Sequence, residues 1–421
     1  MKKSVLKNGI TLLTEHISSS HAISVGFWLK TGSIEEAEKE NGYAHFLEHM
    51  IFKGTKKRSP EMIAQEIDAA GAYINAATSK EYTTYFINII DSKIDLAMDI
   101  LTDIIDNSVF DSQEIEKEKQ VILEEIKMYE DTPLEQVQDN LTEAMLFGHP
   151  ISNPILGRKK NIRKITKEKI KTFYNRHYYP ENTIVTAAGN VDHDKIKEYL
   201  IRSKFLDKKH LPRPAEKRFA GQIKSKDIIM AKDLAQVHFC LGFPSIKITD
   251  NLRYALYIFN AIFGSTMSSR LFQKIRESMG LCYSIYSFNS LYREAGLFGI
   301  YTGTGIQSFE KALKAILEEI SKIKKDKFTQ KEISNAKEHL KGNLALAYEN
   351  INTHMNNLAR QEIYYEKHFT FDEIIKKIEM VRSEDVENAI NLVFPDDYKV
   401  IIASIGNKNH KKILKKFDLI I

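Results

Sequence analysis

The sequence predicts an α+β protein of two homologous domains, each a mostly antiparallel sheet packed with helices. Three observations lead there. β-rich segments interleave with amphipathic helical ones, a polar stretch with two of the nine prolines falls near the midpoint of the 421 residues, and the two halves share patterns at matching offsets.

In chain order, Met1–Leu13 reads as a hairpin around Asn8-Gly9, and Ala22–Leu29 as a strand. A helix is expected from about Gly42 to Phe52. A second has Ser59 as N-cap and Pro60 at its first position, with Gly71 ending it. Tyr73–Thr78 and Tyr82–Ile89 are β-rich, and helices are predicted over 93–106 and 111–130. The expected division is a domain over 1–207, a linker over 208–222 and a second domain over 223–421.

Composition narrows the function classes. With 43% hydrophobic and 28% charged residues, the chain is an ordinary globular sequence, and it holds no apolar run of membrane-spanning length. Lys7, Asn8 and Gly9 interrupt the opening apolar stretch, so it does not read as a signal peptide. Two cysteines, Cys240 and Cys282, suit a reducing cytoplasm. A net charge of +5, from 61 basic and 56 acidic residues, is too small and too well mixed to suggest nucleic acid.

The repeat rests on two alignments. Tyr43–Phe52 matches Tyr254–Phe263, and Phe110, Glu114, Ile115 and Lys119 match Phe328, Glu332, Ile333 and Lys337.

His45-Phe-Leu-Glu48-His49 carries the chemistry. On a helix, residues four apart share a face, so both imidazoles can bind one ion. Glu48 lies close to that face and is better placed to act on water beside the ion than to complete the ligand set. Two histidines leave a catalytic zinc site one ligand short. The helix predicted over 111–130 buries a stripe through Ile115, Ile122, Ile126 and Tyr129, and Glu118 and Glu125 fall on it while Glu124 points away. A carboxylate on a core-facing stripe needs a partner or a metal, so Glu125 or Glu118 should reach the ion, with the other supporting a ligand. In the second half the matching positions are Leu256, Phe259, Asn260, Ala336 and Asn343, so only the first half keeps the metal-site groups.

These residues resemble the inverted zinc-motif (inverzincin) peptidases, the M16 group of pitrilysin and mitochondrial processing peptidase. Supporting stretches are His45–Thr55, Asn75-Ala76-x-Thr78, Glu118–Ile126, Ile155–Gly157, Ala187–Asn190 and Ser269–Tyr283, and the length is similar to half-size bacterial members. The resemblance implies the processing-peptidase-like metallohydrolase fold shared with LuxS, and zinc metalloendopeptidase activity with one Zn2+ per chain. It implies His45, His49 and Glu125 as ligands, Glu48 as general base and Glu118 in support. Asn75 and Ala76 would lie on an edge strand that takes the peptide as an added β-strand, and Arg276 and Tyr283 would join the substrate site, in half-size members from a partner subunit. Since this chain carries both sets of groups, a cytoplasmic homodimer is expected, with neither nucleic acid nor membrane as partner. A catalytically silent assembly subunit of the same fold is the alternative, and a small-molecule zinc hydrolase or lyase a third.

Other signals are set aside. Gly299–Gly305 fits no phosphate-loop pattern and reads as a strand end, and Arg158–Lys171 reads as a solvated helix face.

Overall fold

A computed structural model describes residues 1–203, 223–417 and 419–421, so the expected linker lies outside the described residues. The strands are β1 (Lys2–Val5), β2 (Thr11–His16), β3 (Ala22–Leu29), β4 (Tyr73–Thr78), β5 (Thr83–Ile90), β6 (Thr183–Gly189), β7 (Ile228–Ala231), β8 (Gln236–Pro244), β9 (Ser284–Leu291), β10 (Gly296–Gly305) and β11 (Ile401–Gly406). The helices of the first half are α1 (Tyr43–Ile51), α2 (Pro60–Ala69), α3 (Ile94–Asn107), α4 (Ser112–Glu130), α5 (Pro133–Met145), α6 (Lys159–Ile162), α7 (Lys167–His177) and α8 (His193–Arg202). Those of the second are α9 (Arg253–Asn260), α10 (Ile306–Lys325), α11 (Gln330–Tyr348), α12 (Ile351–Tyr365), α13 (Phe371–Glu379), α14 (Ser383–Val393) and α15 (Asn409–Leu414). The predicted elements of the first half all form, with ends within a few residues of those expected. The Ser59 hydroxyl accepts from Met62 N–H to cap α2, as its sequence indicates. Gly299–Gly305 is the interior and end of β10.

The chain folds as two compact units. One comprises the described residues within Met1–Met128, Asn153–Ala220 and Ala347–His368, the other those within Tyr129–Ser152, Gly221–Leu346 and Phe369–Ile421. The first has a six-stranded sheet in the order β1-β2-β6-β3-β5-β4, all pairs antiparallel except β2 with β6. The second has the order β7-β11-β8-β10-β9, again with one parallel pair, β7 with β11. Without β1, the two orders follow the same path through the chain, so the repeat legible in sequence is a repeat of topology.

Side chains alternate across a strand, and β3 shows what each face is for. Ile23, Val25, Phe27 and Leu29 enter the large core beneath α1, α3 and α4. On the other face Trp28 joins Leu13, Ile184 and Ala188 against Met355, Leu358, Ala359 and Ile363 of α12. The cover on this second face therefore comes from the second half of the sequence. In the other unit the reciprocal holds: α5, from the first half, packs on β8, β10 and β11. There a Cβ at Gly242 of β8 would stand 2.7 Å from both Leu141 Cδ1 and Met145 Sδ, so a residue without a side chain lets α5 lie close. Among the described residues, no helix is long and apolar enough to cross a membrane.

Candidate metal centre

α1 begins at Gly42, whose φ of +101° is open to glycine and strained for other residues. The helix start is held by a loop residue. Glu36, 5% exposed, accepts from the backbone N–H of Ala44 (2.7 Å) and Gly42 (2.9 Å) and from Asn41 Nδ2 (3.0 Å). Burial lifts the Glu36 carboxyl to about 8 despite those bonds. Tyr43, Phe46, Leu47, Met50 and Ile51 anchor the helix in the core, which aims His45 and His49 at α4.

α4 buries Ile115, Ile122 and Ile126 as its pattern predicts, while Glu124 points to solvent and pairs with Lys127. Tyr129 is half-buried and donates to Asp139. The two glutamates of the stripe stand differently to the histidines. Glu125 Oε1 lies 3.8 Å from His45 Nε2, and Glu125 Oε2 lies 3.7 Å from His49 Nε2. Glu118 instead accepts from His49 Nδ1 at 3.0 Å and pairs with Lys53 Nζ at 2.6 Å.

Donor atoms of His45, His49 and Glu125 all lie within 4.8 Å of one another, the one such cluster of three among the described residues. Separations of 3.7–3.8 Å are too long for hydrogen bonds. They are near the spacing of atoms sharing an ion, since ligands about 2.0–2.1 Å from a tetrahedral zinc stand roughly 3.3 Å apart. Glu125 Oε2 is buried with no hydrogen-bond partner, an acceptor left for a cation. Burial, then the neighbouring His49, pushes His45 down to about 3, so it stays a neutral imidazole with a lone pair to donate. His49 is different: burial opposes its charged form, but the bond from Glu118 and the charges of Glu125, Glu118 and Glu48 raise it overall. Burial also raises Glu125, with Glu118 adding to the rise. Glu118 is lowered, because its bonds from His49 and Lys53 outweigh burial. Two imidazoles and the Glu125 carboxylate thus face one point, a set that a divalent cation fits. Two His and one Glu are a donor set used by catalytic zinc, with a fourth position open.

Glu48 points from the same helical turn toward β4. The Thr78 hydroxyl donates to its carboxylate, and burial raises it all the same. β4 ends the sheet order and is therefore an edge strand, with Tyr73, Asn75 and Ala77 exposed along it. Asn75 and Ala76 thus sit on the edge near Glu48. Arg276 and Tyr283 belong to the other unit, where the guanidinium lies 5.3 Å from the Tyr283 ring centre and the tyrosine is 80% exposed.

Sequence reasoning missed the parts played by Glu36, Lys53 and Thr78. Thr78 stood in a noted stretch without a role, and Glu36 lies in a loop where no periodicity marks it. At the positions matching the metal residues, Leu256 and Phe259 are buried apolar side chains and Asn260 accepts from Ser287 Oγ at 2.6 Å.

Comparison with known proteins agrees with this layout. Residues 11–159 match the family model described as insulinase (peptidase family M16), and residues 164–340 match the peptidase M16 inactive domain. The Bacillus subtilis uncharacterized zinc protease YmxG is 35% identical over 408 residues, covering 97% of this chain and 99% of the relative. A Rickettsia felis uncharacterized zinc protease is 36% identical over 395 residues, covering 93% of this chain and 94% of the relative. The crystal structure of a protease from Helicobacter pylori has the same fold, with a TM-score of 0.86 at 22% identity, covering 96% of this chain and 99% of that one.

Proposed function

Because the chain belongs to the M16 family of zinc proteases, we propose that it is a zinc metalloendopeptidase hydrolysing peptides or unfolded segments. In this reading His45, His49 and Glu125 hold one Zn2+ per chain and Glu48 is the general base. The observation that carries the reading is the convergence of those three donors within 4.8 Å, with Glu48 on the same turn of α1.

Zinc held by these residues would lower the pKa of a water toward ~7 and polarise a carbonyl. The chain's own groups do the rest. Glu118 fixes the His49 ring through Nδ1, which leaves Nε2 to face the ion. Glu48 takes the proton of the attacking water and returns it to the leaving amine. The open edge of β4 at Asn75 and Ala76 receives the peptide as an added strand, so backbone pairing gives affinity with little demand on sequence. We further propose a cytoplasmic homodimer in which Arg276 and Tyr283 of one copy serve the other's substrate site. The presence of both sets of groups on one chain and the exposure of Tyr283 support it.

The test is cleavage of an unbiased peptide library by the zinc-loaded protein, with and without chelator, beside Glu48→Gln. The wild type should cleave and lose activity with the metal, and Glu48→Gln should bind zinc without cleaving. A silent assembly subunit would cleave nothing in any form.

A further inference from the structure

We propose that Thr78, the last residue of the edge strand on which the peptide pairs, is a positioning residue that sets the orientation of Glu48, so that the strand that binds also aims the base. This deepens the peptidase reading and rests on it.

Pairing parity along β4 decides which of its backbone groups face the open edge. Ser79 N–H donates to Tyr82 O at 2.8 Å across the β4–β5 hairpin, where Thr78 is paired in register with Thr83. Backbone groups alternate along an antiparallel strand, so Ala77 and Asn75 also turn theirs toward β5. Ile74, Ala76 and Thr78 then turn theirs to the open edge. One of these outward N–H groups already has an acceptor, and the last residue of the strand binds a second one through its side chain. The Ala76 N–H donates to the Asn75 side-chain Oδ1 at 2.8 Å, and Thr78 donates its hydroxyl to Glu48.

The two acceptors differ in kind. Asn75 is an exposed neutral side chain on the same strand, a cap that an incoming carbonyl can replace. Glu48 is a carboxylate fixed on α1 and held by the Thr78 hydroxyl. A peptide can therefore pair at Ile74 and Ala76, and the strand then ends at Thr78, whose hydroxyl holds Glu48. Thr83 Oγ1, 3.5 Å from Thr78 Oγ1, backs the hydroxyl from β5.

The experiment compares Thr78→Val and Thr78→Ser with wild type in the zinc-loaded protein, using an internally quenched unstructured decapeptide. Zinc content and thermal midpoint are recorded, together with binding of the labelled peptide to metal-stripped protein. Valine keeps the backbone N–H and the shape and removes the hydroxyl. Thr78→Val should lose about 10-fold or more in kcat, with KM and peptide binding within about twofold of wild type, and Thr78→Ser should recover most of the loss. An unchanged kcat in Thr78→Val, a loss in Thr78→Ser equal to that in Thr78→Val, or a drop in peptide binding matching the drop in kcat would overturn the proposal. If the wild type cleaves no peptide, the peptidase reading itself fails.

Discussion

His49 Nδ1 and Glu118 Oε2 stand 3.0 Å apart, and that one bond decides which nitrogen of His49 faces Glu125. A donor at Nδ1 leaves Nε2 as the lone-pair atom, so Glu118 acts on the metal centre without reaching it.

Glu118→Gln should therefore keep the three ligands and weaken their grip, lowering zinc affinity by about 10–100-fold. Competition against a chromogenic chelator measures this. Affinity equal to wild type would show that ring orientation is set by packing alone.

The tie between α12 and β2 is sensitive to pH. His354 Nδ1 lies 3.0 Å from Glu15 Oε2; this bond raises His354, and the same bond, opposed by burial, lowers Glu15. A raised histidine contributes stability that is complete below its ordinary 6.5 and is lost as pH climbs through the folded value. A lowered carboxyl contributes stability above its ordinary 4.5 that is lost as pH falls through the folded value. The pair is thus most stabilising between those two values. Denaturant unfolding at about pH 6 and about pH 9 should show wild type losing more stability than His354→Gln over that rise. Equal slopes for the two proteins would dismiss the pair as a source of pH dependence.

Glu36 is buried and holds three donors at the start of α1. Glu36→Ala leaves those donors without their acceptor and should cost about 1–3 kcal/mol in chemical denaturation. Zinc affinity should fall with it, since the capped turn leads into His45. A variant as stable as wild type would mean that water replaces the carboxylate at no cost.

Much of this was legible in the sequence, and the limits have physical causes. His45 and His49 share a face because the helix period places them there, and Glu118 and Glu125 stood out because charge on a stripe of isoleucines is costly. The matching halves foretold matching sheets, since buried alternation survives where identity does not. The exchange of α5 and α12 was hidden. Leu141 and Met355 are buried, and nothing in their own segments tells which sheet lies beneath them. Glu36 and Thr78 were hidden for another reason: each acts through a hydrogen bond to a distant segment, and no repeat or spacing records such a partner.

The central claim is that His45, His49 and Glu125 hold a single catalytic zinc. Zinc stoichiometry of purified wild type and Glu125→Ala, measured by atomic emission after dialysis against a weak chelator, tests it most directly. The account predicts one zinc per wild-type chain and a near-empty Glu125→Ala protein with an unchanged fold by circular dichroism. A variant that retained a full equivalent of zinc, or a wild type that bound none, would contradict it.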